Sequence, residues 1–153
     1  LISYFDEAIM HIMKSIKLSI LGIVAGCLSN IAMADVVVIV SAKNKVAALR
    51  VQEVSDIFLG KTSNIAGNVE VIPIDHLEGE STRDEFYLKT TGKAPSQLKA
   101  YWSKRIFTGK GQPPKEVLDT IALKKMIADN TKLIGYIDKN AVDPSVKVVL
   151  TLQ

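Results

Sequence analysis

Cysteine occurs once in the 153 residues, at Cys27, and histidine twice, at His11 and His76. That scarcity excludes a disulfide-stapled scaffold, a thiolate cluster and a histidine-rich metal centre. Aromatic residues make up only 6% of the chain; Tyr101, Trp102 and Phe107 read as core and rim packing rather than as a stacking platform. No strong charge of one sign is present, the formal net charge being +3. Lys99, Lys104, Arg105, Lys110, Lys115, Lys124 and Lys125 are scattered among acids, which describes a mixed solvated surface and no nucleic-acid face. Enzyme signatures are missing too: no phosphate-cradling loop, no dinucleotide fingerprint, no nucleophile elbow, no His-Glu-x-x-His. What remains, 48% hydrophobic and 23% charged residues, fits one ordinary globular domain without internal repeats or a linker.

Long apolar runs are absent as well. The stretch 18–28 falls short of the roughly 20 residues that span a bilayer and is broken by Ser29 and Asn30. It follows a basic start, Met13, Lys14 and Lys17, and precedes Ala32-Met33-Ala34, the small-x-small pattern a signal peptidase accepts. Residues 13–34 therefore read as a signal peptide, and 35–153 as an exported, periplasmic domain. Residues 1–12, with Asp6 and Glu7 ahead of the basic start, read as an upstream extension without function. A second reading makes Val24-Ala25-Gly26-Cys27 a lipobox, with an acylated Cys27 as the membrane anchor. On the first reading the exported domain has no cysteine, and His76 is its one histidine.

The β-branched run at 35–41 reads as a strand buried on both faces, which requires layers on both sides of a sheet. Val51, Val54, Ile57 and Phe58 share one helical face that stops before Gly60. A second strand is expected at 69–74, with Pro73 at an edge or near its end. Helices follow at Ser81–Thr91, with Phe86 and Tyr87 inward, and at Pro95–Phe107, with Leu98, Trp102 and Ile106 at spacing four. A third helix is expected at 115–128, stacking Leu118, Ala122 and Met126 with Leu123 and Ile127 beside them. Residues 108–114 form a surface loop, and strands at 133–137 and 146–150 complete an α/β layer domain.

Chemistry concentrates between Asp75 and Glu85, where a strand passes into a helix. Free backbone N–H groups and the positive end of a helix dipole receive an anion in such a place. Ser81 and Thr82 offer hydroxyls, and Arg83 a planar multidentate donor suited to phosphate or carboxylate. The alternative is a capping box, Ser81 with Asp84 or Thr82 with Glu85, which satisfies the same N–H groups internally. Glu78 and Glu80 read as a solvated acidic turn.

Several segments, in order, carry a resemblance: 38–44, then Val54 to Thr62 with its Ile57-Phe58-Leu59-Gly60-Lys61 core, then Gly79 to Arg83 entering Phe86, then 101–109, and finally Ile134-Gly135-Tyr136-Ile137. Together they resemble the phosphate-binding component of bacterial phosphate ABC transporters, of the type II periplasmic binding protein class. The resemblance implies a single lobe of that class, a central mixed sheet covered by helices, in the periplasm. Nothing in the chain pairs a nucleophile with a base, so no enzymatic activity and no cofactor are expected. The family's anion loop runs arginine, two residues, then glycine-serine-glycine-threonine; here His76 stands for the arginine, Glu80 for the serine and Ser81 for the second glycine, while Gly79 and Thr82 match. Ile65 stands where relatives often carry tryptophan. The ligand-binding residues so implied are Ser81, Thr82 and Arg83, with His76, Glu80 and Ser41.

Two functions follow as expectations. The first is reversible binding of phosphate or another small oxyanion on behalf of a transporter permease or a sensor. The second is a non-catalytic envelope module that keeps the fold without a ligand. A lobe that closes against a second lobe in relatives must cover that face otherwise, so an exposed apolar surface and a homodimer are also expected.

Overall fold

A strand with no polar residue before its last position cannot leave either face in water. In the computed structural model, which describes residues 35–65 and 68–153, β1 (Val36–Ser41) is buried along its whole length. The segments read as a signal peptide, as a lipobox with Cys27 and as a 1–12 extension lie outside the described residues. The elements that follow are α1 (Val51–Phe58), β2 (Asn64–Ile65), β3 (Val69–Glu70), β4 (Ile72–His76), α2 (Ser81–Thr91), α3 (Pro95–Phe107), β5 (Lys115–Val117), α4 (Thr120–Asp129), β6 (Leu133–Asp138) and β7 (Val146–Thr151).

Five strands form one mixed sheet in the order β5-β4-β6-β1-β7. β4 runs parallel to β5 and β6, while β1 is antiparallel to both β6 and β7. The alternation of a strand then divides the core in two. Val36, Val38, Val40, Ile134 and Tyr136 face a layer containing Val54 and Ile57 of α1, Phe86 and Tyr87 of α2, and Leu98 and Trp102 of α3. Val37, Ile39, Leu133 and Ile137 face Leu123 and Ile127 of α4. Burying one such valine or isoleucine contributes about 1.5–3 kcal/mol, so the doubly covered β1 anchors the domain.

Most of the expected elements are in place. α2 and α3 have the expected bounds, and α3 opens on Pro95 with Gln97 Oε1 accepting from the Ala94 N–H at 2.9 Å. Ile106, however, is half exposed. Two expectations are corrected. The segment 69–74 is two strands: β3 pairs with β2 in a separate hairpin, and only β4 joins the main sheet. Pro73 lies near the start of β4, before pairing with β5 begins at Ile74, so its missing N–H disrupts nothing there. The helix expected at 115–128 starts late, since Lys115–Val117 is β5 and Asp119 caps α4 by accepting from the Ala122 N–H at 2.7 Å. Leu118 and Ile121 are consequently exposed, and Leu123 and Ile127 are the residues that enter the core.

Gly135 is fixed by close approach. A Cβ there would sit 2.6 Å from Ile127 Cδ1 and 3.0 Å from Leu123 Cδ2. Gly135→Ala is therefore expected to cost about 1–3 kcal/mol by overpacking the sheet against α4, read as a lower urea midpoint at unchanged slope. An unchanged midpoint would show that α4 shifts freely.

Candidate functional site

β4, β5 and β6 are parallel, so their carboxyl ends lie on one edge of the sheet, the edge at which open α/β sheets bind ligands. The turn from β4 into α2 is on that edge. Glu80 is the N-cap of α2, and its side chain makes no capping hydrogen bond. The expected capping box, on Ser81 or on Thr82, is thus not formed: both residues already lie inside the first turn, one and two positions too late to cap. The carbonyl of Glu80 accepts from the N–H groups of Arg83 (3.0 Å) and Asp84 (3.1 Å). Among the described residues no acceptor reaches the N–H of Ser81 or Thr82. Ser81 is exposed and Thr82 half-buried, so these two N–H groups and two hydroxyls are presented at the positive end of the helix.

The other residues expected at the site are placed differently. Arg83, expected as a counter-charge for an anion, is buried and committed to the protein. Its Nε lies 3.2 Å from Asp75 Oδ2 and its Nη2 lies 3.3 Å from Glu116 Oε1. Burial opposes its charge, but the Asp75 carboxylate together with Tyr87 and Tyr136 favours it more, so its pKa is raised. His76 is buried as well, and its Nε2–H donates to the Tyr136 carbonyl at 2.9 Å, which fixes the tautomer and turns the ring away from solvent. Ser41 ends β1, antiparallel to β6, and so lies at the opposite edge; its hydroxyl donates to the Ala128 carbonyl at 3.0 Å. Glu80 is exposed beside the helix start. The structure thus brings Ser81, Thr82 and Glu80 together and withdraws Arg83, His76 and Ser41.

Beneath the turn lies a group that the sequence reading did not assign. Asp75, fully buried, accepts from the Tyr87 hydroxyl at 2.8 Å, from the Tyr136 hydroxyl, from the His76 N–H at 2.9 Å and from Arg83. A carboxylate taken out of water needs such partners. The available signal was an acid at an inward position of a strand, which demands a counter-charge, with an arginine on the next helix to supply it. Burial, and then the Asp75 charge, push Tyr87 and Tyr136 well above the ordinary tyrosine pKa. The folded state thus keeps protons that an unfolded tyrosine releases near pH 10. Stability should be level below about pH 10 and fall above it by up to ~1.4 kcal/mol per pH unit for each tyrosine. Urea midpoints followed into alkali check this, and Tyr87→Phe should shallow the fall; a flat alkaline profile would contradict it.

Among the described residues no helix is long and apolar enough to cross a membrane, and no group of three or more His, Cys, Asp or Glu side chains is placed to hold a metal ion. The mixed sheet, with α1, α2 and α3 on one face and α4 on the other, is the fold of a lobe of the type II periplasmic binding proteins. No family model matches the chain, and no curated protein matches it. Solved structures do. A protein of Clostridium perfringens assigned as a phosphate ABC transporter substrate-binding protein, crystallised with phosphate bound, is 25% identical, with a TM-score of 0.58 over 75% of this chain and 44% of that one. An ABC-type phosphate transport receptor from Vibrio cholerae is 20% identical, with a TM-score of 0.59 over 75% and 45%. PstS from Borrelia burgdorferi is 15% identical, with a TM-score of 0.54 over 75% and 46%. The chain is similar to these substrate-binding proteins and spans less than half the length of each. The likeness lends no support to a homodimer.

Proposed function

We propose that residues 35–153 form a periplasmic solute-binding-type domain, exported by the 13–34 signal peptide, that binds phosphate or another small oxyanion reversibly for an ABC transporter permease or an envelope sensor. The observation that carries this reading is the uncapped start of α2 at the carboxyl edge of the sheet, within a fold shared with phosphate-binding receptors. The N–H groups and hydroxyls of Ser81 and Thr82 are the donors, aided by the helix dipole. Arg83 is engaged by Asp75 and Glu116 and supplies no counter-charge to the ligand, and Glu80 opposes it. No bond is made or broken, and the neighbours are transport proteins rather than enzymes. Thr82→Ala is expected to weaken phosphate binding by about 0.5–1.5 kcal/mol, one hydrogen bond. Glu80→Ser should strengthen it by removing a nearby charge and supplying a donor. Calorimetric titration with phosphate at low and moderate salt checks both, and binding that neither substitution alters would move the ligand elsewhere.

The commitment of Arg83 and His76 to internal partners favours a second reading, a non-catalytic envelope module that keeps the lobe without the ligand. It expects no phosphate affinity in the parent and none gained by Glu80→Ser.

A further inference from the structure

A second concavity lies at the other edge of the sheet, away from the α2 start and independent of the function proposed for it. It is lined by the beginnings of β4 and β5, by the Gly60–Asn64 turn after α1 and by the loop before β5, and has a volume of about 580 Å³. That is within the roughly 300–1,000 Å³ of small-molecule sites and far more than one inorganic oxyanion fills. Its lining includes Lys61 and Lys115 but no aspartate or glutamate, while Ile72, Pro113, Pro114 and Trp102 supply apolar walls.

The walls are held by specific bonds. Arg105 Nη2 donates to the Gly60 carbonyl at 2.9 Å and to the Lys110 carbonyl at 2.6 Å, joining the two glycine-lysine turns that flank the cavity. The Tyr101 hydroxyl donates to the Leu59 carbonyl at 2.7 Å. Gly60, at φ +63°, allows the Trp102 ring to approach so closely that a Cβ would lie 3.1 Å from Cη2. A frame fixed in advance lowers the ordering cost of binding.

Two of the lining residues carry a polar group without a partner among the described residues. Trp102 is only 5% exposed, and among the described residues nothing accepts from its indole Nε1–H. Lys61 Nζ is shared with Asp56 at 2.9 Å, whereas Lys115 makes no ion pair among the described residues. We propose that this cavity binds a small organic anion, a carboxylate or phosphate monoester carried on a flat apolar body. Lys115 meets the charge, and the proline and indole walls hold the body.

Trp102 is the one tryptophan of the chain, so its emission reports on this wall directly. The full chain titrated with phenyl phosphate should give a saturable change in that emission. Lys115→Gln should weaken the affinity about tenfold or more, as expected for one charge-assisted bond. Lys125→Gln, which removes the same charge from an exposed position on α4, should leave it unchanged. The absence of a saturable change in the parent, equal weakening by both substitutions, or equally tight binding of uncharged benzyl alcohol would each overturn the proposal.

Discussion

Arg83→Ala is expected to destabilise the domain by about 3–5 kcal/mol, because it leaves a carboxylate buried without its counter-charge. Asp75 is fully buried, and the Arg83 Nε bond is its one contact with a positive charge among the described residues. The tyrosine hydroxyls that remain are neutral donors and do not compensate a full charge. Arg83→Lys should recover part of the loss, since it restores the charge but cannot reach Asp75 and Glu116 with one planar fork. Urea denaturation of both variants at neutral pH measures the difference. A loss for Arg83→Ala below about 1 kcal/mol, the scale of an exposed pair, would show that Asp75 is not held as described.

A comparable loss, about 3–5 kcal/mol, is expected for Phe86→Ala, the range for a large aromatic removed from a close-packed core. Phe86 is fully buried, stacked on Tyr136 at 3.7 Å with an interplanar angle of 1°, and set edge-on to Phe58 at 4.7 Å. Removing it opens a cavity among α1, α2 and β6 and frees the ring whose hydroxyl donates to Asp75. Phe86→Leu should cost less, because much of the volume is kept. Thermal unfolding of the pair separates cavity from chemistry; equal midpoints for the two would contradict the packing account.

The two predictions also mark how far the sequence could be read. β1 was legible because unbroken β-branched residues leave no face for water. α1, α2 and α3 were legible because their apolar spacing coincides with punctuation by Gly60, Gly92 and Pro95. β5 was not, since Lys115-Glu116-Val117 has no strand pattern of its own and becomes a strand only by parallel pairing with β4. That error shifted the α4 stripe by one position and placed Leu118 in a core it does not enter. At the site, Ser81 and Thr82 could be placed at a helix start from sequence alone, but the N-cap fell on Glu80. The fate of Arg83 was hidden for a different reason. An arginine at a helix start serves a ligand or a buried acid equally well, and only the inward register of Asp75 on β4 decides between them.

The most direct test of the account concerns the two uncommitted N–H groups at the start of α2. Titrating isotope-labelled protein with inorganic phosphate, while following every backbone amide by NMR, reads each of them separately. The account predicts saturable shifts centred on the amides of Ser81 and Thr82, with the same midpoint at both, little change at Ser41, and loss of the effect in Thr82→Pro. Amides of Ser81 and Thr82 that stay fixed throughout the titration, or that move only in step with remote surface residues, would contradict it.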